Sequence, residues 1–174
     1  MIIINNAAFC NMDHAIEYGK KGAKKAEKKE NARKKREFYE NHKDTRRQAA
    51  VRWFNRFIRL RDTGNPCISC GKPSIGPNAG KFDAGHYIPA GSCSALKFNE
   101  KNVNLPCHWN CNIQQSGNRT NYRKGLIKKY GLEEVEKLEG PQPIINITVD
   151  WYKSIEEKYK AKCKELEKKL ENVA

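Results

Sequence analysis

Four of the seven cysteines fall into two close pairs. Cys67-x-x-Cys70 is followed at once by Gly71, and Cys107-x-x-x-Cys111 comes later, beyond a segment rich in Gly and Asn. The first pair has the form of a zinc knuckle, a turn in which two thiolates face one ion. Four thiolates together suit a closed, tetrahedral structural zinc site. The alternative is four ordinary buried cysteines, and the paired spacing argues against it. The second pair is one residue wider than the commoner form and encloses His108, so a set of three cysteines and one histidine is also compatible. Cys10, Cys93 and Cys163 are scattered and fit the role of small apolar residues.

Between and just beyond the pairs stand residues suited to phosphodiester hydrolysis. They are Asp83-Ala84-Gly85-His86-Tyr87-Ile88-Pro89, then Asn102-Val103-Asn104-Leu105-Pro106-Cys107, then Asn112 directly after Cys111. Hydrolysis needs a base to deprotonate water and a cation to neutralise charge on the phosphate. His86 is the candidate base, because imidazole titrates near neutrality. Asp83 is a hard oxygen ligand for Mg2+ or Mn2+, with Asn112 as the second protein ligand. Asn102 is expected to orient the His86 ring through a hydrogen bond. Asn104 and Asn118 are the rivals of Asn102 and Asn112. His14 and His42 lie outside the frame. Taken singly, a His beside Gly and Tyr is a strand residue and an Asn before two apolar residues is a turn residue. Their joint order inside the cysteine frame is what points to catalysis.

That order resembles the ββα-metal (His-Asn-His-like) nuclease family. It is closer to the phage NinG/Rap recombination endonucleases of lambdoid phages. The phrases Cys67-Ile68-Ser69-Cys70-Gly71, Asp83-Ala84-Gly85-His86-Tyr87, Leu96-Lys97-Phe98-Asn99-Glu100, Asn102-Val103, and Ser116-Gly117-Asn118 with Tyr122-Arg123 carry the likeness, over residues 33–140. The Asp-x-x-His spacing followed by Cys-Asn also resembles phage junction resolvases of the endonuclease VII type. In much of the wider class an acid or His directly precedes the base, and here that position is Gly85. The resemblance implies a strand bearing His86, a loop bearing Asn102 and a helix bearing Asn112. It also implies branched DNA as substrate, such as Holliday junctions and D-loops. Two cuts per junction call for a symmetric homodimer.

The elements that must position these residues follow from the pattern of polarity. Lys20 to Asp62 lacks Pro and is rich in helix formers, which predicts a long basic helix. Its first part is polar all round. From Thr45 on, Ala49, Ala50, Trp53, Phe54, Phe57, Ile58 and Leu60 mark one apolar face, with arginines expected to point outward. Lys81 to Ile88 reads as a strand and Asn102–Leu105 as an extended approach to the second pair. Residues 121–139 read as two short helices broken at Gly131, and Trp151 to Val173 as an amphipathic helix. The fold class is α+β. A small zinc-stapled ββα-metal core (63–140) lies between a basic N-terminal segment (1–62) and a linker with a C-terminal helix (141–174). That helix is a candidate dimer element, and its stripe could equally fold back on the core.

The 174 residues carry 34 Lys and Arg against 20 Asp and Glu, a formal net charge of +14. Such an excess, with mean hydropathy −0.88, selects a polyanionic partner. DNA leads, with Arg33, Lys34, Lys35, Arg46, Arg47, Arg52, Arg56 and Arg59 as phosphate contacts. Trp53 and Trp109 could stack on unpaired bases, although Trp53 fits better in the core. No apolar run suffices for a membrane span, and Met1-Ile2-Ile3-Ile4 is too short for a signal core, so a cytoplasmic setting is expected. Two further functions fit the same residues: a non-catalytic zinc module that binds nucleic acid, and a sequence-specific nuclease sharing the motif.

Overall fold

A computed structural model describes residues 2–4, 7–74 and 81–172. Two compact units result, Met1–Thr45 and Arg46–Ala174.

In the first unit, β1 (Ile2–Ile4) and β2 (Ala7–Phe9) pair antiparallel with Ile2 opposite Phe9. They lead into α1, Met12–Asn41. This helix starts earlier than the lysine-rich run because Asn11 caps it, its side chain accepting from the His14 N–H at 2.9 Å. Phe9 stacks on Tyr18 at 5.1 Å. Ala15 is the buried residue of α1, and the rest is charge on charge, as in the Arg33 pairs with Glu30 at 2.7 Å and Glu37 at 3.4 Å. The expected single helix is two: His42, with ψ 124, breaks it before α2, Lys43–Arg61.

The second unit is built on a short antiparallel ribbon. β3 (Gly85–His86) pairs with β4 (Val103–Asn104), with His86 opposite Val103, and Phe82 bridges to Cys107. Only two residues of the predicted Lys81–Ile88 strand form ladder pairs. Apolar clusters flank the ribbon. One joins α2 (Ala50, Phe54, Phe57, Ile58) to Phe98, Val103, Leu105 and to Tyr152, Tyr159 and Cys163 of α5, Val149–Glu171. The apolar stripe of α5 is therefore spent inside its own unit, folded back on α2. Thr148 caps this helix at 3.0 Å to Trp151 N–H, and its predicted end at Val173 lies outside the described residues. The other cluster sets Tyr122 and Leu126 of α3 (Arg119–Tyr130) and Val135 and Leu138 of α4 (Leu132–Glu139) against Tyr87 and Leu96. Gly131, at φ +88, separates these two helices as expected.

The arginines of α2 do not all face outward. Arg46 pairs with Glu156 at 3.2 Å with both side chains largely buried, and Arg56 pairs with Glu167 at 2.6 Å while stacking on Trp53. Arg61 turns inward to Asp62 at 2.6 Å, to the Val103 carbonyl at 2.9 Å and to Asn104 Oδ1 at 3.1 Å. For Arg46 and Arg56 the cause is α5, whose Glu156 and Glu167 stand beside α2 where the two helices pack; for Arg61 it is Asp62 and the β4 backbone.

Candidate active site

The cysteines assemble. The sulfur atoms of Cys67, Cys70, Cys107 and Cys111 all lie within 4.8 Å of one another, so the four-thiolate set is the one the fold brings together. The knuckle turn closes with Gly71 N–H donating to Cys67 O at 2.9 Å. Cys67 Sγ accepts the N–H groups of Cys70 at 3.4 Å and Cys107 at 3.2 Å. Burial opposes ionisation here, yet those N–H groups outweigh it and hold the Cys67 thiol below its usual range. Cys111 is buried beside the other sulfurs and is pushed far up, and burial also raises Cys70. The protein's own groups thus draw Cys67 toward its thiolate and oppose ionisation at Cys70 and Cys111. A divalent cation held by the four sulfurs would favour their thiolate forms, and the donor set fits zinc.

The knuckle is seated by contact rather than by charge. Ile68 N–H donates to Leu105 O at 3.1 Å, and α3 passes so close that a Cβ at Gly125 would stand 1.9 Å from Ile68 O. No other residue fits there.

After Cys107 the chain forms a π-helical segment, His108–Gln114, in which Asn112 N–H donates to Cys107 O at 3.0 Å, five residues back. His108 and Asn112 sit one turn apart and both reach Asp83. His108 Nδ1 lies 2.5 Å from Asp83 Oδ2, and Asn112 Nδ2 donates to the same oxygen at 2.9 Å. His108 is therefore a partner of the carboxylate and not of the cysteines. Its place in sequence, four residues before Asn112, was the available signal. Burial pushes the Asp83 carboxyl up, but the bonds from His108 and Asn112 and the nearby charge of Arg59 prevail and hold it below the usual range. Both bonds fall on Oδ2, which leaves Oδ1 as a ligand atom.

His86 follows on β3 directly after Gly85, the strand residue that meets this group. A Cβ on Gly85 would meet Pro106 Cγ at 2.6 Å and Asn112 Oδ1 at 3.4 Å. That crowding explains why the residue before His86 carries no side chain. His86 Nε2 is 2.9 Å from Lys97 O. A carbonyl only accepts, so Nε2 carries the proton and Nδ1 is the basic atom. Burial holds the ring below its usual pKa, against the bond to Lys97 O.

Asn102 does not touch His86, contrary to expectation. It is fully buried; its Nδ2 donates to Ile88 O and Leu96 O, both at 3.0 Å, and its Oδ1 accepts from Ile88 N–H at 2.8 Å. A buried amide bonds the nearest backbone groups, and here those lie two residues past His86 and one before Lys97. Asn102 is thus a positioning residue that clamps the loop bearing the ring's actual partner. The rivals separate as well. Asn104 Oδ1 accepts from Lys129, Tyr130 and Arg61 in a buried network. Asn118 points its amide at Cys111 Sγ, 3.9 Å away. Tyr122, quoted from sequence for the family likeness without a role, gains one here: buried, it accepts from Asn104 N–H at 2.9 Å and donates to Gly85 O at 2.8 Å, tying α3 to the strand of His86.

Of the proposed phosphate contacts, Arg33, Lys34 and Lys35 are exposed on α1, and Arg47, Arg52, Arg56 and Arg59 are exposed on α2. Arg46 is withdrawn into its pair with Glu156. Among the described residues no helix is long and apolar enough to cross a membrane.

The model of the family described as Bacteriophage Lambda NinG protein matches residues 2–171. The chain is 38% identical over 112 residues to the protein ninG of Escherichia phage lambda, covering 64% of this chain and 52% of that one. It is 38% identical to that of Escherichia phage 933W and 37% identical to that of Salmonella phage P22, each covering 64% of this chain and 53% of the relative. The chain spans about half the length of these curated relatives. No solved structure matches it.

Proposed function

The chain belongs to the NinG family of bacteriophage lambda, and from that premise we propose that it is an endodeoxyribonuclease of the ββα-metal, His-Asn-His-like class, cutting branched recombination intermediates such as Holliday junctions and D-loops by metal-dependent phosphodiester hydrolysis. The observation that carries this is the convergence of Asp83 and Asn112, from the ribbon and the π-helical segment, at 2.9 Å against the strand that bears a histidine with a fixed tautomer. One carboxylate and one amide oxygen are a hard donor set that suits Mg2+ or Mn2+. Bound there, the cation supplies neutralisation of the charge that builds on phosphate and leaving oxygen.

The protein's own groups account for the rest. His86 Nδ1 takes the proton of the attacking water, and Lys97 O keeps the imidazolium aligned through Nε2–H. Asn102 holds that carbonyl in place. The low pKa of the ring keeps it neutral, hence basic, at physiological pH. Arg59, near Asp83, and the other exposed cations of α1 and α2 hold the DNA backbone by charge, with little base specificity. Two cuts at one junction require two copies, joined through a face other than the stripe of α5.

The test uses the zinc-loaded protein and His86→Ala with Mg2+, on a four-way junction and a linear duplex of matched sequence. Junction cutting by the parent alone is expected. Binding by both without cutting, in Mn2+ as well, would establish a non-catalytic zinc module. Equal cutting of duplex and junction would establish a nuclease without branch selectivity.

A further inference from the structure

Trp109 is the largest apolar side chain left in solvent near the site, at 63% exposure. The chain's other tryptophans, Trp53 and Trp151, pack against the core cluster of α2 and α5. Trp109 does no such work. It stands, nonetheless, between two anchored residues, His108, which is tied to Asp83, and the buried Cys111. One turn further along the π-helical segment, Ile113 is 49% exposed. His108 and Asn112 thus put one face of the segment on Asp83, and Trp109 and Ile113 present the adjoining face to solvent.

We propose that Trp109, backed by Ile113, is a stacking site for an unpaired nucleobase next to the phosphate that a cation at Asp83 and Asn112 would hold. The proposal rests on the nuclease reading for that phosphate, and it adds what recognises the substrate. An exposed indole costs solvation, and in a chain of net charge +14 the complementary ligand with flat apolar faces is a nucleic acid. Within a continuous duplex both faces of each base are already covered by neighbours. Only a branch point, gap or single strand offers a base face to the indole. Selectivity for such DNA then comes from this residue, whereas the arginines bind every duplex alike.

The test reads binding rather than cutting. Zinc-loaded full-length parent, Trp109→Ala and Trp109→Phe are titrated without added Mg2+ into a four-way junction carrying 2-aminopurine at the branch, and into a linear duplex of matched sequence. Loss of one base stack is worth roughly 5- to 150-fold in affinity. Trp109→Ala is expected to lose that much on the junction and less than about twofold on the duplex. Trp109→Phe should keep most of the affinity, and the parent alone with Trp109→Phe should quench the 2-aminopurine. Unchanged junction binding by Trp109→Ala overturns the proposal, and so does an equal loss on both substrates. A parent that binds no DNA overturns it together with the nuclease reading. If the junction effect is present but Mg2+ produces no cutting, the stacking site stands and the nuclease reading falls.

Discussion

Helices α1 and α2 follow one another in the chain and share a composition dominated by lysine, arginine and helix formers, yet they live in different physical regimes. Across Met12–Asn41, α1 buries only Ala15. Across Lys43–Arg61, α2 buries Ala49, Ala50, Phe54, Phe57 and Ile58. The cations of α1 answer to solvent and to glutamates a turn away, worth a few tenths of a kcal/mol each (roughly 0.2–0.5). Those of α2 include Arg46 and Arg61, which are drawn into pairs with low exposure. Composition therefore sets how many charges such a segment carries, and the apolar stripe decides which of them remain available to solvent.

The most severe way to break the comparison is to remove the metal. Zinc contributes ~10–16 kcal/mol to small domains that depend on it, which rivals the whole stability of a domain. Chelation, or Cys111→Ser, should melt the Arg46–Ala174 unit. Amide exchange would accelerate throughout α2, α3 and α5, with little change in α1. Metal analysis should return one zinc per chain. Retention of a cooperative transition after complete chelation would show that the apolar clusters suffice alone.

A smaller effect comes from the same substitution made once in each unit. Gly125→Ala forces a methyl group to 1.9 Å from Ile68 O, which should cost about 1–3 kcal/mol or more and loosen zinc. Gly22→Ala meets nothing within 4 Å and should stabilise α1 by about 0.5–1 kcal/mol. Denaturation midpoints and helicity distinguish them; equal shifts of one sign would dissolve the contrast.

The mildest probe is pH. Burial lowers the pKa of His86 in the folded protein, so in that window the unfolded chain binds more protons. Stability is complete above the unfolded value of about 6.5 and is lost as pH falls through it toward the folded pKa. The acid limb of cutting should likewise fall below about 6.5. An NMR titration of the His86 ring with a midpoint above that value would contradict the buried, carbonyl-bound geometry.

What the sequence made legible was whatever depends on spacing along the chain. The two cysteine pairs, the helix pair broken at Gly131 and the adjacency of Cys111 to Asn112 are local facts, and local geometry carries them into space. The partners of buried polar atoms were hidden. Asn102 was expected on the His86 ring and instead bonds Ile88 and Leu96, because backbone groups carry no identity that a sequence can display. His108 was weighed as a zinc ligand, and only the width of the π-helical segment turns it to Asp83. The inward course of Arg46 depends on Glu156 of α5, 110 residues away, and that of Arg61 on the carbonyl of Val103, 42 residues away. The β1–β2 hairpin had no alternation strong enough to announce it.

The wide turn at His108–Gln114 has a consequence for descent. Its bond from Asn112 N–H to Cys107 O spans five residues, where an α-helix spans four. Losing one residue between Cys107 and Cys111 would yield the commoner, shorter pair, and either the segment turns by about 100°, carrying Asn112 away from Asp83, or it unwinds to keep the sulfur in the cluster. One codon therefore separates a chain that assembles both the cysteine cluster and the Asp83–Asn112 contact from one that keeps only the cysteine pairs. The reverse insertion would be a short step by which a chain with only the cysteine pairs could bring an amide onto Asp83.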